Sequence, residues 1–169
     1  MVVMATDDRA RARDILDLQE GRRPVPVLSA SAAQDLLAEA RRICVVGASS
    51  DRSRPSHGVM RYLQHHGYDC VPVNPRERDV LGVRSFATIE EAVLESGRFD
   101  VIDVFRRPEY TPAIARSAVA TNAGVLWLQL GVVNWEAARI SQEGGVPVVM
   151  DLCTAIEHRR LREARRLSR

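Results

Sequence analysis

Gly47, Ser49, Ser50, Arg52 and Arg54 crowd into one short stretch, VVGASSDRSRPSHG, residues 45–58. An apolar run stops at Gly47, Ala48 and two serines follow, two arginines come next, and a helix-period pattern restarts behind Pro55. Glycine lets the backbone turn sharply, and the serines set hydroxyls beside amides that point toward the start of the next helix. Such a helix end carries unsatisfied N–H groups and a partial positive charge, so it attracts anions. The two arginines add cations at the same rim. The chemistry these residues support is the holding of a phosphate or a pair of phosphates.

A second cluster follows the next apolar run, where Val73, Asn74 and Pro75 lead into Arg76 and Arg78. A dinucleotide fingerprint would need G-x-G-x-x-G and an acid about 20 residues on. After Gly47 the next glycine is Gly58, and this strand ends without Asp or Glu. An arginine there suits a phosphate on a ribose, as on NADP or on the 3′-phospho-ADP half of coenzyme A. Catalytic constellations are not evident. No carboxylate pair has a spacing suited to acid–base work, no His/Cys/Asp cluster has metal-ligand spacing, and no nucleophile stands beside its base. Asp103 and Asp151 are read as orienting groups, His65 and His66 as surface residues at a helix end, and His158 as an ordering residue of the last helix. His57 has two readings, a phosphate contact or a surface residue at a helix start.

The elements that must position these groups alternate along the chain. "RICVVGAS", "DCVPVNP", "DVIDVFRRP", "GVLWLQLG" and "VPVVMDLC" are short, Val- and Ile-rich and nearly continuous in apolar character, as strands covered on both faces are. Helix-period segments separate them. Ser31 with Gln34 and Thr88 with Glu91 have capping-box spacing, Pro108 with Glu109 opens a helix, and so does Asn134 with Glu136. This alternation predicts an α/β, Rossmann-like doubly wound parallel sheet of about five strands in three α/β/α layers, with its ligand crevice at the carboxyl ends of the strands. The domain spans 31–161. Residues 1–30 are read as an N-terminal arm or linker, in which DRARARDILDLQE is compatible with a short charged helix and GRRPVPVLS, with Pro24 and Pro26, is not; 162–169 form a basic tail.

Composition sets the outer bounds. The chain has 169 residues, enough for one domain with extensions, and a formal net charge of +2. All 24 of its basic residues are arginine. The tail EHRRLREARRLSR has no interleaved aromatics, so it reads as a solvated helix and not as a nucleic-acid contact. Three scattered cysteines without a Cys-x-x-Cys, and no run near the roughly 20 apolar residues needed to cross a bilayer, lead to the expectation of a cytoplasmic protein without membrane or nucleic-acid partners. A homodimer is compatible with all of this.

Taken together in their order and spacing, VVGASSDRSRPSHGVMRYLQHHGYDCVPVNPRERDVLG, DVIDVFRRPE, WLQLGVVNWEAA and MDLCTAIEHRRL resemble the small stand-alone CoA-binding proteins. Those are similar to the nucleotide-binding N-terminal domain of succinyl-CoA synthetase alpha subunits. The resemblance covers roughly residues 32–161. It implies that Gly47, Ala48, Ser49 and Ser50 hold a pyrophosphate, and that Val73, Asn74, Pro75 and Arg76 border the adenosine. It further implies that Phe105, Arg106, Arg107 and Pro108 flank the adenine and the start of the pantetheine arm, and that Gln129, Leu130 and Gly131 lie toward the thiol end. Arginine stands where relatives usually carry lysine, which keeps the charge but favours planar, bidentate contacts. The synthetases use a phosphorylated histidine on a second domain, for which this chain has no room. The expectation is therefore a non-catalytic binding module, a carrier or sensor of coenzyme A or a short acyl-CoA, with no metal. An NADP-dependent oxidoreductase or epimerase on the same sheet is the alternative, against which the absent glycines and absent Tyr-x-x-x-Lys pair weigh. Cys153 is open to two readings, a partner for the CoA thiol in a mixed disulfide or a half-buried structural thiol.

Overall fold

The computed structural model describes residues 2–168, with side chains from Asp8 onward. Its centre is a five-stranded parallel sheet made of β1 (Arg42–Val46), β2 (Asp69–Val73), β5 (Val101–Val104), β6 (Val125–Leu128) and β7 (Val148–Val149), in the order β2-β1-β5-β6-β7. A hairpin of β3 (Asp79–Val80) and β4 (Val83–Arg84) stands apart. Among the described residues seven α-helices surround these strands: α1 (Val2–Gln19), α2 (Ala30–Glu39), α3 (Pro55–His65), α4 (Ile89–Ser96), α5 (Thr111–Ala120), α6 (Trp135–Glu143) and α7 (Thr154–Leu167). The fold is the expected Rossmann-like α/β class.

Strand parity explains the three layers, because successive side chains leave a strand on opposite faces. Cys44 and Val46 of β1 join Ile102, Val104, Leu126 and Leu128 in a core shared with Ala92 of α4, Ala118 of α5 and Ala137 of α6. Ile43 and Val45 face the other way, meeting Val101, Val125 and Trp127, with Leu37 of α2 and Met60 and Leu63 of α3 above them. Helix α7 packs on α2 and α3. Both faces of β1 are therefore covered, which is why it reads as a continuous apolar run.

The chain runs from β1 outward to β2, then returns past β1 to β5, β6 and β7. Strand order reverses between β1 and β5, so the loops after these two strands diverge and leave a crevice at their carboxyl ends. Gly47 sits there at φ +82, and a Cβ on it would lie 2.7 Å from the Phe105 carbonyl oxygen. Its hydrogen side chain is demanded by backbone sign and by neighbouring backbone at once.

Two local expectations are corrected. Helix α2 begins at Ala30, capped by Ser29, whose hydroxyl accepts from Ala32 N, so Ser31 lies inside it. Pro108 opens a 3-10 turn, Pro108–Tyr110, and α5 follows from Thr111. Within residues 1–30 the charged segment is helical over Val2–Gln19, in keeping with the helix its sequence allows, and Leu18 and Val25 join the core. Thr88 and Asn134 cap α4 and α6 as expected, accepting from Glu91 N and Ala137 N, and Glu91 reaches back to Ala87 N. Among the described residues no helix is long and apolar enough to cross a membrane.

Candidate functional site

The loops after β2, β1, β5 and β6 and the start of α7 surround a cleft of about 770 Å³. Gly47, Ser49, Arg54, Asn74 and Arg76 line one part of it; Phe105, Arg106 and Arg107 the middle; Gln129, Gly131 and Cys153 the other end. The remaining candidates lie beside it. Ala48 and Val73 are buried under the loops, while Ser50, Arg52 and Pro75 are exposed at the rim.

The loop after β1 is held from below. Asn74 donates from Nδ2 to the Ala48 carbonyl at 2.8 Å, and His57 Nδ1 lies 3.0 Å from the Ser49 carbonyl oxygen. His57 is buried. The surface reading does not hold, because the ring is buried and its Nδ1 supports the loop. Gly47 N donates to Val73 O, tying the loop to β2.

Two residues that line the cleft escaped the sequence reading. Ser56 is 3% exposed, in the first turn of α3, and lines the cleft. Its hydroxyl makes no hydrogen bond within the described residues, and no buried polar side-chain atom among them lacks a partner, so this oxygen opens onto the cleft at the positive end of a helix. The second is Glu77. Its carboxylate accepts from Ser50 N at 2.9 Å, from Ser49 Oγ at 3.1 Å and from Ser50 Oγ at 2.7 Å. The Ser50 backbone and hydroxyl bonds, with Ser49, hold its pKa below the ordinary value. The protein thus places an oxyanion of its own on the loop's donors.

Cations are unevenly distributed. Arg54 is 3.9 Å from Asp51, and Arg52 and Arg76 form no ion pair among the described residues. Arg107 is tied to Glu109 at 3.2 Å and donates to Tyr110 Oη, and both Arg106 and Arg107 lie over the Tyr110 ring, at 4.7 and 5.4 Å. Past β5 the lining changes to Gln129, Leu130, Val132, Cys153 and Ile156, with no charged side chain. The cleft is cationic at β2, β1 and β5 and neutral at β6 and β7.

Beneath the neutral end lies a closed polar cluster. Asp103, fully buried in β5, accepts from Gln129 Nε2 at 2.5 Å and from Thr154 Oγ1 at 2.9 Å. Burial pushes its pKa up to about 7, and the two hydrogen bonds work against that rise. Asp151, at φ 58, accepts from Gly131 N at 2.7 Å and fixes the turn after β6. Both acids orient neighbours, as read from the sequence. Cys44 and Cys70 are buried, and burial raises Cys70 to about 12, whereas Cys153 is half-buried at the first turn of α7. No group of three or more His, Cys, Asp or Glu side chains among the described residues is placed to hold a metal ion.

A doubly wound parallel sheet with a loop at its switch point whose donors hold a carboxylate, and a two-toned cleft along the strand ends, is the architecture of a Rossmann-like α/β module. The chain belongs to the CoA-binding domain family, whose model matches residues 41–159. It is 39% identical over 125 residues to the uncharacterized protein YneT of Bacillus subtilis (strain 168), covering 74% of this chain and 90% of that one. A Thermus thermophilus protein solved as cell-free ID.343 is 36% identical, with a TM-score of 0.73, covering 79% of this chain and 99% of its own. A hypothetical protein from Pyrococcus horikoshii OT3 is 33% identical, with a TM-score of 0.74 and coverages of 79% and 92%.

Proposed function

We propose that the cleft binds coenzyme A and that the chain acts as a carrier or sensor of it, without chemistry of its own. The pyrophosphate lies on the Gly47–Ser50 loop, against Ser56 and the start of α3. The 3′-phosphorylated adenosine lies along Asn74 and Arg76, with Phe105, Arg106 and Arg107 as its other wall. The neutral pantetheine arm crosses toward Gln129 and Gly131. The observation that carries this reading is the change of lining within one cleft, cationic beside the loop and uncharged beyond β5, in a chain of the CoA-binding domain family. Coenzyme A has that same polarity, with its phosphates gathered at one end. The sequence resemblance to the nucleotide-binding domain of succinyl-CoA synthetase alpha subunits supports a domain that holds the carrier while chemistry happens elsewhere.

Native mass spectrometry of the purified protein tests the proposal directly. A bound mass equal to coenzyme A or one of its thioesters supports it. A nicotinamide nucleotide, or failure to bind added coenzyme A in calorimetry, overturns it.

A further inference from the structure

Resting on the reading of the cleft as a coenzyme A site, we propose that Asp103 and Thr154 lock the Gln129 amide with its carbonyl oxygen facing the neutral end, so that the site selects the free thiol form over thioesters.

The amide's orientation follows from counting protons. Thr154 has one hydroxyl proton, which it donates to Asp103 Oδ2 at 2.9 Å, so toward Gln129 it can only accept. An ionised Asp103 also only accepts. Gln129 Nε2 lies 2.5 Å from Asp103 Oδ1 and 2.9 Å from Thr154 Oγ1. Both neighbours therefore require its NH2 group, and both amide protons are engaged. Oε1 is left without a protein partner. Gln129 is 5% exposed, yet no buried side-chain polar atom among the described residues lacks a partner, so Oε1 is the part that opens onto the cleft Gln129 lines.

Position completes the argument. With the phosphates on the β1 loop, the arm runs two to three strand spacings, roughly 10–14 Å, to reach the ends of β6 and β7. Its terminus there meets a fixed acceptor. A thiol brings an S–H donor, whereas a thioester brings a carbonyl oxygen whose lone pairs oppose those of Oε1. The other side chains at this end are apolar except Cys153, a weak donor. Asp103 touches no ligand in this scheme; it is a positioning residue acting through Gln129.

The test is calorimetry of coenzyme A and acetyl-CoA, at pH 8.5 with reductant, on the full chain and on two variants. The native protein should bind coenzyme A at least about tenfold more tightly, a difference of about 1.4 kcal/mol. In Asp103→Asn the new amide donates to Gln129 Oε1, turns the NH2 group to the cleft, and brings the ratio within about threefold or inverts it. Gln129→Met keeps the volume, removes the acceptor and should collapse the ratio too, which keeps the idea testable if the first variant misfolds. Equal native affinities, or a preference that survives in either folded variant, overturn the inference while leaving the cleft's ligand unchanged. Binding of neither compound by the native protein removes the coenzyme A reading and this inference with it.

Discussion

Removing Glu77 should tighten, not weaken, the binding of a diphosphate ligand. The Glu77 carboxylate holds three donors of the loop, Ser50 N, Ser50 Oγ and Ser49 Oγ, at 2.7 to 3.1 Å. A phosphate placed there must displace it. Hydrogen bonds to a charged group are worth roughly 1.5–3 kcal/mol each when shielded, but Glu77 is only partly covered and water competes for it, so the whole latch is set at about 1–2 kcal/mol. At about 1.4 kcal/mol per factor of ten, Glu77→Ala should bind coenzyme A roughly 5- to 30-fold more tightly, and Glu77→Gln should fall between.

Calorimetry at low salt, where a change in local charge is least screened, reads the effect. The pKa of Glu77 is lowered in the folded chain, so the latch is fully formed above the unfolded value near 4.5 and is lost only as pH falls through the lower folded value. The ratio of variant to native affinity should therefore stay flat from pH 6 to 8. An unchanged or weakened affinity in a folded Glu77→Ala protein would refute the reasoning, because the carboxylate would then be bracing the loop or standing away from the ligand.

Arg76 is exposed at the cleft edge, so a contact to a ribose phosphate is worth about 1 kcal/mol; coenzyme A should bind about fivefold more tightly than dephospho-CoA, and Arg76→Ala should erase the difference in the same titration. Gly47→Ala combines φ +82 with a Cβ 2.7 Å from Phe105 O, which should cost roughly 2–4 kcal/mol and lower the melting temperature by about 10 °C in a thermal scan. Asp103, raised to about 7 by burial, keeps its proton in the folded state over a pH range where the unfolded chain has lost it. Native stability should therefore fall by up to roughly 4 kcal/mol as pH rises from about 4 to 7, and Asp103→Asn should flatten that slope in denaturant titrations.

The sheet was legible because each of its strands is covered on both faces and so repeats an unbroken apolar signature, and because Thr88 and Asn134 advertise their helices with side chains that do the capping. Gly47 was legible for a reason only half right. The close approach it permits is first to the Phe105 backbone of the neighbouring strand, whatever ligand the loop also admits. What the sequence concealed depends on contacts between distant segments. The β3–β4 hairpin has two residues per strand, too few for a period, and its turn at Leu81 and Gly82 adopts positive φ at both positions without an Asn-Gly or Asp-Gly marker. Its consequence is functional. Ser85 and Phe86, returning from the hairpin, bond Arg78, Asn74 and Pro72, and fold residues 74–78 back over the β1 loop, which delivers Glu77 to Ser49 and Ser50.

Glu77 and Asp103 together show how one cleft can carry two kinds of selectivity. At the cationic end the donors are many, the arginines mobile and the resident carboxylate exchangeable, so strength there comes from charge and is shared by any phosphate that can displace Glu77. At the neutral end a buried acid and a hydroxyl leave Gln129 a single orientation, and discrimination there comes from the fixed direction of one carbonyl. Rising salt should accordingly weaken coenzyme A binding while leaving the ratio between coenzyme A and its thioester untouched. A ratio that moved with salt would place the discrimination among the arginines instead of at Gln129.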